Sequence, residues 1–154
     1  MPDEARRDRL FLDANVLVAG AISPPGGSGY ILLLGELGSV ELIVSLQVLD
    51  EARWALTRKA PRALPEFERL LRAAKLRVIS NPTADEVARS LEMIHSDDAP
   101  ILAAAINAQP DSLITLNTHH FIDDARPRQL SGLTIETPAM YLTRYRQQAI
   151  GETR

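Results

Sequence analysis

The sequence predicts an α/β fold, a three-layer sandwich in which a mostly parallel sheet lies between helices. Short apolar runs of strand length alternate along the chain with longer amphipathic segments of helix length. Right-handed crossovers between parallel strands then restrict the topology. The length of 154 residues is that of one domain. We therefore expect a single domain over residues 1–154, with an ordered core over roughly residues 9–146.

The first half of the chain supplies three predicted strands and three predicted helices. The strands are short apolar runs at residues 10–13, 41–45 and 76–79. The helices repeat apolar residues three and four positions apart, at residues 30–37, 46–58 and 65–74. Gly38 ends the first of these helices, and the Pro- and Gly-rich residues 24–29 before it form a loop. This loop lacks the Gly-Lys-Ser/Thr sequence of a phosphate-binding loop.

The second half supplies two further strands, at residues 112–115 and 133–136, which bring the sheet to five. Thr83 and Glu86 have the spacing of a capping box at the start of a helix. The predicted apolar stripe of that helix is Val87, Leu91 and Ile94. Another helix has its body at residues 99–106, which places Pro100 in the first turn. A last helix starts at Pro138.

Four polar side chains recur where a parallel sheet brings strand ends and helix starts together. Asp13 ends the first strand, and Glu51 lies in the first turns of the helix after the second strand. Asp98 begins a helix, and Asn117 follows the fourth strand. Open α/β sheets bind ligands at this edge, and if the first and fourth strands are neighbours, Asp13 and Asn117 face each other across it.

Several carboxylates in one pocket repel one another, and a hard divalent cation removes that conflict. Oxygen ligands suit Mg²⁺ or Mn²⁺, which activate water and neutralise a phosphodiester in its transition state. We therefore take Asp13, Glu51, Asp98 and Asn117 as candidate catalytic residues and metal ligands. The candidate supporting residues are Asn15, Thr115 and Asp97.

Each candidate also has a purely structural interpretation. Asp13, Asp98 or its neighbour Asp97 would cap a helix, and Glu51 would be a solvated residue favoured by the helix dipole. Asn117 would be a turn residue. The pair His119-His120 is expected to be exposed in a loop, because adjacent side chains rarely point the same way and no third ligand is evident.

Composition sets further bounds on function. The net charge of −3 gives no global basic field for nucleic acid. The absence of cysteine excludes disulfides and thiolate metal sites. Since the first residues lack a signal core and no apolar run is long enough to span a bilayer, we expect a cytoplasmic protein with no membrane partner. A basic run over residues 53–72 is either a phosphate-contacting edge or an ordinary solvated surface.

Four stretches of the chain resemble the motifs of PIN-domain ribonucleases, in the same order. They are Phe11-Leu12-Asp13-Ala14-Asn15-Val16-Leu17, residues 45–56 around Glu51, residues 97–105 around Asp98, and residues 113–121 around Asn117. The tail at residues 133–142 resembles one subgroup, the toxin components of bacterial toxin–antitoxin pairs similar to VapC. Each motif is weak alone, and the ordered set covers nearly the whole chain.

The resemblance implies a PIN-like five-stranded parallel sheet and Mg²⁺- or Mn²⁺-dependent cleavage of RNA, with Asp13, Glu51 and Asp98 as acidic ligands. It also implies a homodimer and a cognate antitoxin that covers the site. In one respect the chain departs from the family, because Asn117 stands where the fourth motif usually has Asp. An amide adds no negative charge, so a one-metal site is plausible, and Asp97 supplies the missing charge only if it points inward.

Two other functions remain open on the sequence. A decayed site at Asn117 would leave a non-catalytic module that binds RNA or protein. Asp13-Ala14-Asn15 faintly resembles the nucleophile motif of aspartyl-phosphate phosphatases, but Asn15 replaces their second Asp. Those enzymes also need a lysine in the site, and the chain has only Lys59 and Lys75.

Overall fold

The computed structural model describes residues 6–152 and contains one five-stranded sheet. Its strands are β1 (Asp8–Leu12), β2 (Val40–Ser45), β3 (Arg77–Ile79), β4 (Ser112–Ile114) and β5 (Ile135–Glu136). The spatial order is β3-β2-β1-β4-β5, and every pairing is parallel. The predicted parallel five-stranded sheet is therefore confirmed.

Within the described residues 6–152, eight α-helices connect and flank the strands. They are α1 (Ala14–Ile22), α2 (Gly27–Glu36), α3 (Leu46–Lys59), α4 (Leu64–Ala73), α5 (Ala84–Ser90), α6 (Ala99–Ala108), α7 (Arg126–Ser131) and α8 (Pro138–Glu152). Helices α1 to α4 contact one another, and α5 contacts α6 in a separate group. A 3₁₀ turn at Pro61–Ala63 and a π-helical turn at His119–Asp123 complete the chain path.

Strand β1 is the centre of the sheet, and its last three residues are fully buried. From β1 the chain builds β2 and β3 to one side, and later β4 and β5 to the other. The Asp13 N–H continues the β1–β4 ladder by donating to the Ile114 carbonyl at 3.0 Å. The switch point therefore lies at the carboxyl ends of β1 and β4, as the sequence predicts for the candidate site.

Helices α1 and α2 meet at 96°, and glycines permit their close approach. A Cβ on Gly29 would lie 2.0 Å from the Pro24 carbonyl oxygen, and one on Gly20 would lie 2.4 Å from a Leu32 methyl group. No single described helix is long and apolar enough to cross a membrane, and α1 with α2 meets that test of length and composition only as a bent pair.

Two local predictions need correction. Helix α2 begins at Gly27 rather than at residue 30, so the predicted loop is shorter. Packing against α1 outweighs the poor helix propensity of Gly-Ser-Gly. Leu91 does not join the stripe of α5, because the helix ends at Ser90 and Leu91 is 50% exposed.

Candidate active site

A cleft of about 810 Å³ opens at the carboxyl ends of β1 and β4, between α1 and α3. We call it the acidic cleft. The four predicted ligands line it, and they are Asp13, Glu51, Asp98 and Asn117. Asn15 lines it as well. Acids that are 85 positions apart in the chain, at Asp13 and Asp98, therefore share one cavity.

Asp13 is the most buried of these acids, with 6% of its surface exposed. Its Oδ1 accepts the Ala14 N–H at 2.7 Å, as a helix cap does. Its Oδ2 accepts the Thr115 hydroxyl at 2.8 Å and the Asn15 amide at 3.3 Å. Asp13 therefore has both predicted roles: it is the N-cap of α1, and it also lines the acidic cleft.

Burial raises the pKa of Asp13 from its ordinary 3.8 to about 6. The hydrogen bonds from Thr115 and Ala14 oppose this rise, while the negative charges of Asp98 and Glu51 add to it. Three carboxylates therefore interact electrostatically in this cleft, and no neighbouring cation offsets the desolvation of the deepest one.

Asp98 occupies the N-cap position of α6, but its side chain makes no capping hydrogen bond. Instead, its carboxylate contacts Asn117 and His120, which follow β4. Oδ1 accepts the Asn117 amide at 3.3 Å, and Oδ2 lies 2.5 Å from the Nδ1 of His120. The position is that of a helix cap, while the carboxylate belongs to the acidic cleft.

The hydrogen bonds of Asn117 fix the orientation of its amide. Its carbonyl oxygen accepts the backbone N–H of His120 at 3.2 Å, which only an oxygen can do. The amide nitrogen therefore faces Asp98. Asn15 is oriented in the same way, since its carbonyl accepts the Leu116 N–H at 3.0 Å and its nitrogen faces Asp13.

Of two further predicted residues, Glu51 lines the acidic cleft and Asp97 does not. Glu51 projects from α3 and accepts a hydrogen bond from Gln47 at 2.9 Å. The side chain of Asp97 is 87% exposed and lies 3.7 Å from the Nδ1 of His95. It does not line the acidic cleft, so it adds no charge at the place where Asn117 lacks one.

His120 is a residue of this site that the sequence analysis missed. The prediction of an exposed loop holds for His119, but the side chain of His120 is only 33% exposed and is paired with Asp98. Both histidines lie in the π-helical turn at His119–Asp123, and their ring centroids are 5.0 Å apart. His95 stacks on the His120 ring with a centroid distance of 4.8 Å. No spacing rule links His95 to His120 in the sequence.

The sequence profile of the PIN domain matches residues 9–119, which is more than half of the chain. The chain belongs to the PIN-domain family. This match contains all of the residues that line the acidic cleft. The family prediction is therefore confirmed, and the geometry described above is that of a PIN domain.

Two solved structures support the fold of this PIN domain, each at 20% identity. One is VapBC2 from Rickettsia felis bound to a DNA fragment from their promoter, with a TM-score of 0.60 over 84% of this chain and 98% of that chain. The other is PAE2754 from Pyrobaculum aerophilum, with a TM-score of 0.61 over 89% of this chain and 88% of that chain. No curated protein matches the sequence.

The donor set of the PIN-domain cleft fits a hard divalent cation. Its three carboxylates offer oxygen ligands, and no Lys or Arg within residues 6–152 forms an ion pair with any of them. Beside the cleft, His95, Asp98 and His120 bring ligand atoms within 4.8 Å of one another. That second group mixes nitrogen with oxygen and therefore suits transition metals better than Mg²⁺.

We expect His120→Ala to weaken Mn²⁺ binding about 10- to 100-fold, since outer partners of a metal ligand commonly have effects of that size. The imidazole contacts Asp98 and not the cleft, so its loss frees the carboxylate to rotate. Calorimetric titration of Mn²⁺ measures this effect. His119→Ala is the matched control, because His119 is exposed and contacts the His120 ring at a centroid distance of 5.0 Å but forms no ion pair with Asp98 among the described residues. The Mn²⁺ affinity of this variant should stay within twofold of the wild type.

Proposed function

We propose that this PIN domain is a metal-dependent endoribonuclease that hydrolyses phosphodiester bonds of RNA. The observation that carries the proposal is the acidic cleft, in which Asp13, Glu51 and Asp98 converge and no Lys or Arg of the described residues forms an ion pair with them. Burial, with smaller contributions from the charges of Asp98 and Glu51, raises the pKa of Asp13, so its carboxylate is held in the charged form at a cost. A costly cluster of titratable groups in a cleft is typical of a functional site.

Asp13, Glu51 and Asp98 would hold Mg²⁺ or Mn²⁺. A divalent cation at that place supplies charge neutralisation for the phosphodiester and lowers the pKa of water. Thr115 and Asn15 orient Asp13, while His120 and Asn117 orient Asp98. The Asn117 amide nitrogen faces Asp98 while its carbonyl accepts a backbone N–H, so we assign Asn117 a positioning role. Because an amide adds no negative charge, we infer a one-metal site.

We also propose that the chain is the toxin of a bacterial toxin–antitoxin pair, acts in the cytoplasm and has a cognate antitoxin protein. The similarity of its tail to VapC-like toxins supports this, as does the fold shared with VapBC2. A homodimer is part of the proposal. Three apolar residues of the α2 region are exposed by 41–68% and offer a surface for it, namely Tyr30, Leu33 and Leu37.

The test is cleavage of single-stranded and structured RNA by the purified protein. Activity should require Mn²⁺ or Mg²⁺ and stop with a chelator. Cleavage that persists in chelator contradicts the proposal. A folded protein that binds RNA but never cuts it favours the non-catalytic module, and a phosphoryl group trapped on Asp13 favours the phosphatase.

A further inference from the structure

The acidic cleft extends along α3 to Trp54, an exposed tryptophan. Trp54 is the only tryptophan in the chain, and it lines the cleft with 60% of its surface exposed. It follows Glu51 by three residues on the same helix, so the two side chains share a face and lie about 4.5 Å apart along the axis. A large aromatic ring is thus presented beside the candidate ligands.

One cation lies over a face of this ring, and a second lines the same cleft. The guanidinium carbon of Arg58 is 4.6 Å from the centroid of Trp54, and Lys59 lines the same cleft. Across the described range 6–152, neither cation forms an ion pair, whereas Arg53 on the same helix is paired with Glu68 at 3.1 Å. The dipole of α3 favours cations in its last turn, but it does not account for the exposed ring.

The opposite wall of the cleft is apolar. Helix α1 contributes Val18, Ala19 and Ile22, and Ile22 is 52% exposed. The cleft therefore combines the acids, an aromatic ring, an apolar wall and the cation of Lys59, and Arg58 lies over the ring. From Glu51 to Lys59 the helix rises about 12 Å.

We propose that Trp54 is the stacking platform of a subsite for single-stranded RNA, with Arg58 and Lys59 contacting the phosphates beside the stacked base. The inference rests on the proposed nuclease function. It adds the residues that would contact the bases and phosphates of a single-stranded substrate. An unpaired base covers the ring, and the flanking phosphates supply the anions that the two cations lack. An apolar protein helix would cover the ring but leave both charges unmatched. Duplex RNA is excluded, because its bases are not available for stacking.

The fluorescence of the single tryptophan reports binding directly. We expect saturable quenching when the wild-type protein in chelator is titrated with a ten-nucleotide adenine RNA. The same RNA in a duplex, or with abasic sites throughout, should give little change. Trp54→Ala should weaken binding about 5- to 150-fold, measured by anisotropy of labelled RNA, which corresponds to the ~1–3 kcal/mol of one stacked base.

Variants separate stacking from simple apolar contact. Trp54→Phe should retain most of the affinity, whereas Trp54→Leu should lose as much as Trp54→Ala. Arg58→Ala should weaken binding and make it less dependent on salt. The matched controls are Leu130→Ala, which removes an apolar residue exposed by 58%, and Arg72→Ala, which removes an exposed cation outside the cleft. Both should bind like the wild type.

Three results would overturn the inference: no quenching by any single-stranded RNA, unchanged affinity in Trp54→Ala, or full affinity in Trp54→Leu. The last result would indicate that apolar contact, and not stacking, holds the RNA. Because binding is measured in chelator, failure of the nuclease proposal is distinguishable. A protein that never cuts RNA, but loses binding with Trp54→Ala, would retain the subsite and lose the proposed activity.

Discussion

Asp13→Asn should reduce metal-dependent RNA cleavage at least about 100-fold, equivalent to about 3 kcal/mol in the activation barrier. The same substitution should stabilise the metal-free protein at neutral pH. Asn has almost the shape of Asp and keeps an acceptor for the Ala14 N–H, but it carries no charge into a position that is 6% exposed. A substitution is expected to lower activity and raise stability when it removes a carboxylate whose burial in the charged form destabilises the folded protein.

The pH dependence of this gain follows from the pKa of Asp13. Because folding raises that pKa from 3.8 to about 6, the folded state binds the proton more tightly than the unfolded state. The contribution to stability is complete below pH 4 and is lost as the pH rises to about 6, by about 3 kcal/mol. Above pH 6, Asp13→Asn should be more stable than the wild type by about 1–3 kcal/mol, after allowing about 1 kcal/mol for altered hydrogen bonds.

Urea unfolding at pH 4 and pH 7, in chelator, measures the difference. The advantage of Asp13→Asn should be present at pH 7 and absent at pH 4. Asp98→Asn should also lose cleavage, and Asp97→Asn is its matched control because that neighbouring side chain is 87% exposed and off the cleft. Equal loss of activity in Asp97→Asn would mean that the acids act through general charge and not as ligands.

Arg144→Met should destabilise the protein by about 2 kcal/mol, which lowers the melting temperature by about 4–8 °C; the loss is smaller than for a fully buried pair because the Arg144 side chain is 40% exposed. Glu136 is 7% exposed and accepts hydrogen bonds from the Arg144 Nε at 3.1 Å and from the Ser112 hydroxyl at 2.8 Å. Removing Arg144 leaves a buried carboxylate with no cation. The Glu136 carbonyl also accepts the Thr115 N–H at 3.0 Å, so this pair anchors the strand that orients Asp13.

A double-mutant cycle separates pair loss from lost packing. Adding Glu136→Gln to Arg144→Met should recover most of the stability, because the buried charge is removed. Arg146→Met on the same helix is the control and should change stability by less than about 0.5 kcal/mol, since Arg146 is exposed. A single variant Arg144→Met as stable as this control would show that Glu136 is solvated.

The secondary structure and the convergence of the acids could be predicted because both depend on local or general rules. Apolar periodicity placed each strand within two residues of its observed bounds, and parallel strands necessarily share a carboxyl edge. Asp13 and Asp98 meet for that reason. The start of α2 could not be predicted, because Gly27 and Gly29 are helical only through their packing against neighbouring segments.

Contacts between side chains of different loops could not be predicted from the sequence. His120 reaches Asp98 through a π-helical turn, and His95 reaches His120 from the segment between α5 and α6. Neither approach leaves a periodic signal. The orientation of the Asn117 amide was hidden for the same reason, since a backbone N–H three residues ahead determines it. The placement of Trp54 in the cleft could not be predicted, because it depends on how α1 and α3 pack together.

A crystal of the protein soaked in Mn²⁺, with anomalous diffraction, tests the central claim most directly. The account predicts one strong peak in the acidic cleft, about 2–2.6 Å from carboxylate oxygens of Asp13 and Asp98, and none in crystals of Asp13→Asn. A peak held by His95 and His120 with Asp13 left uncoordinated, or no peak at all in a well-ordered cleft, would contradict it.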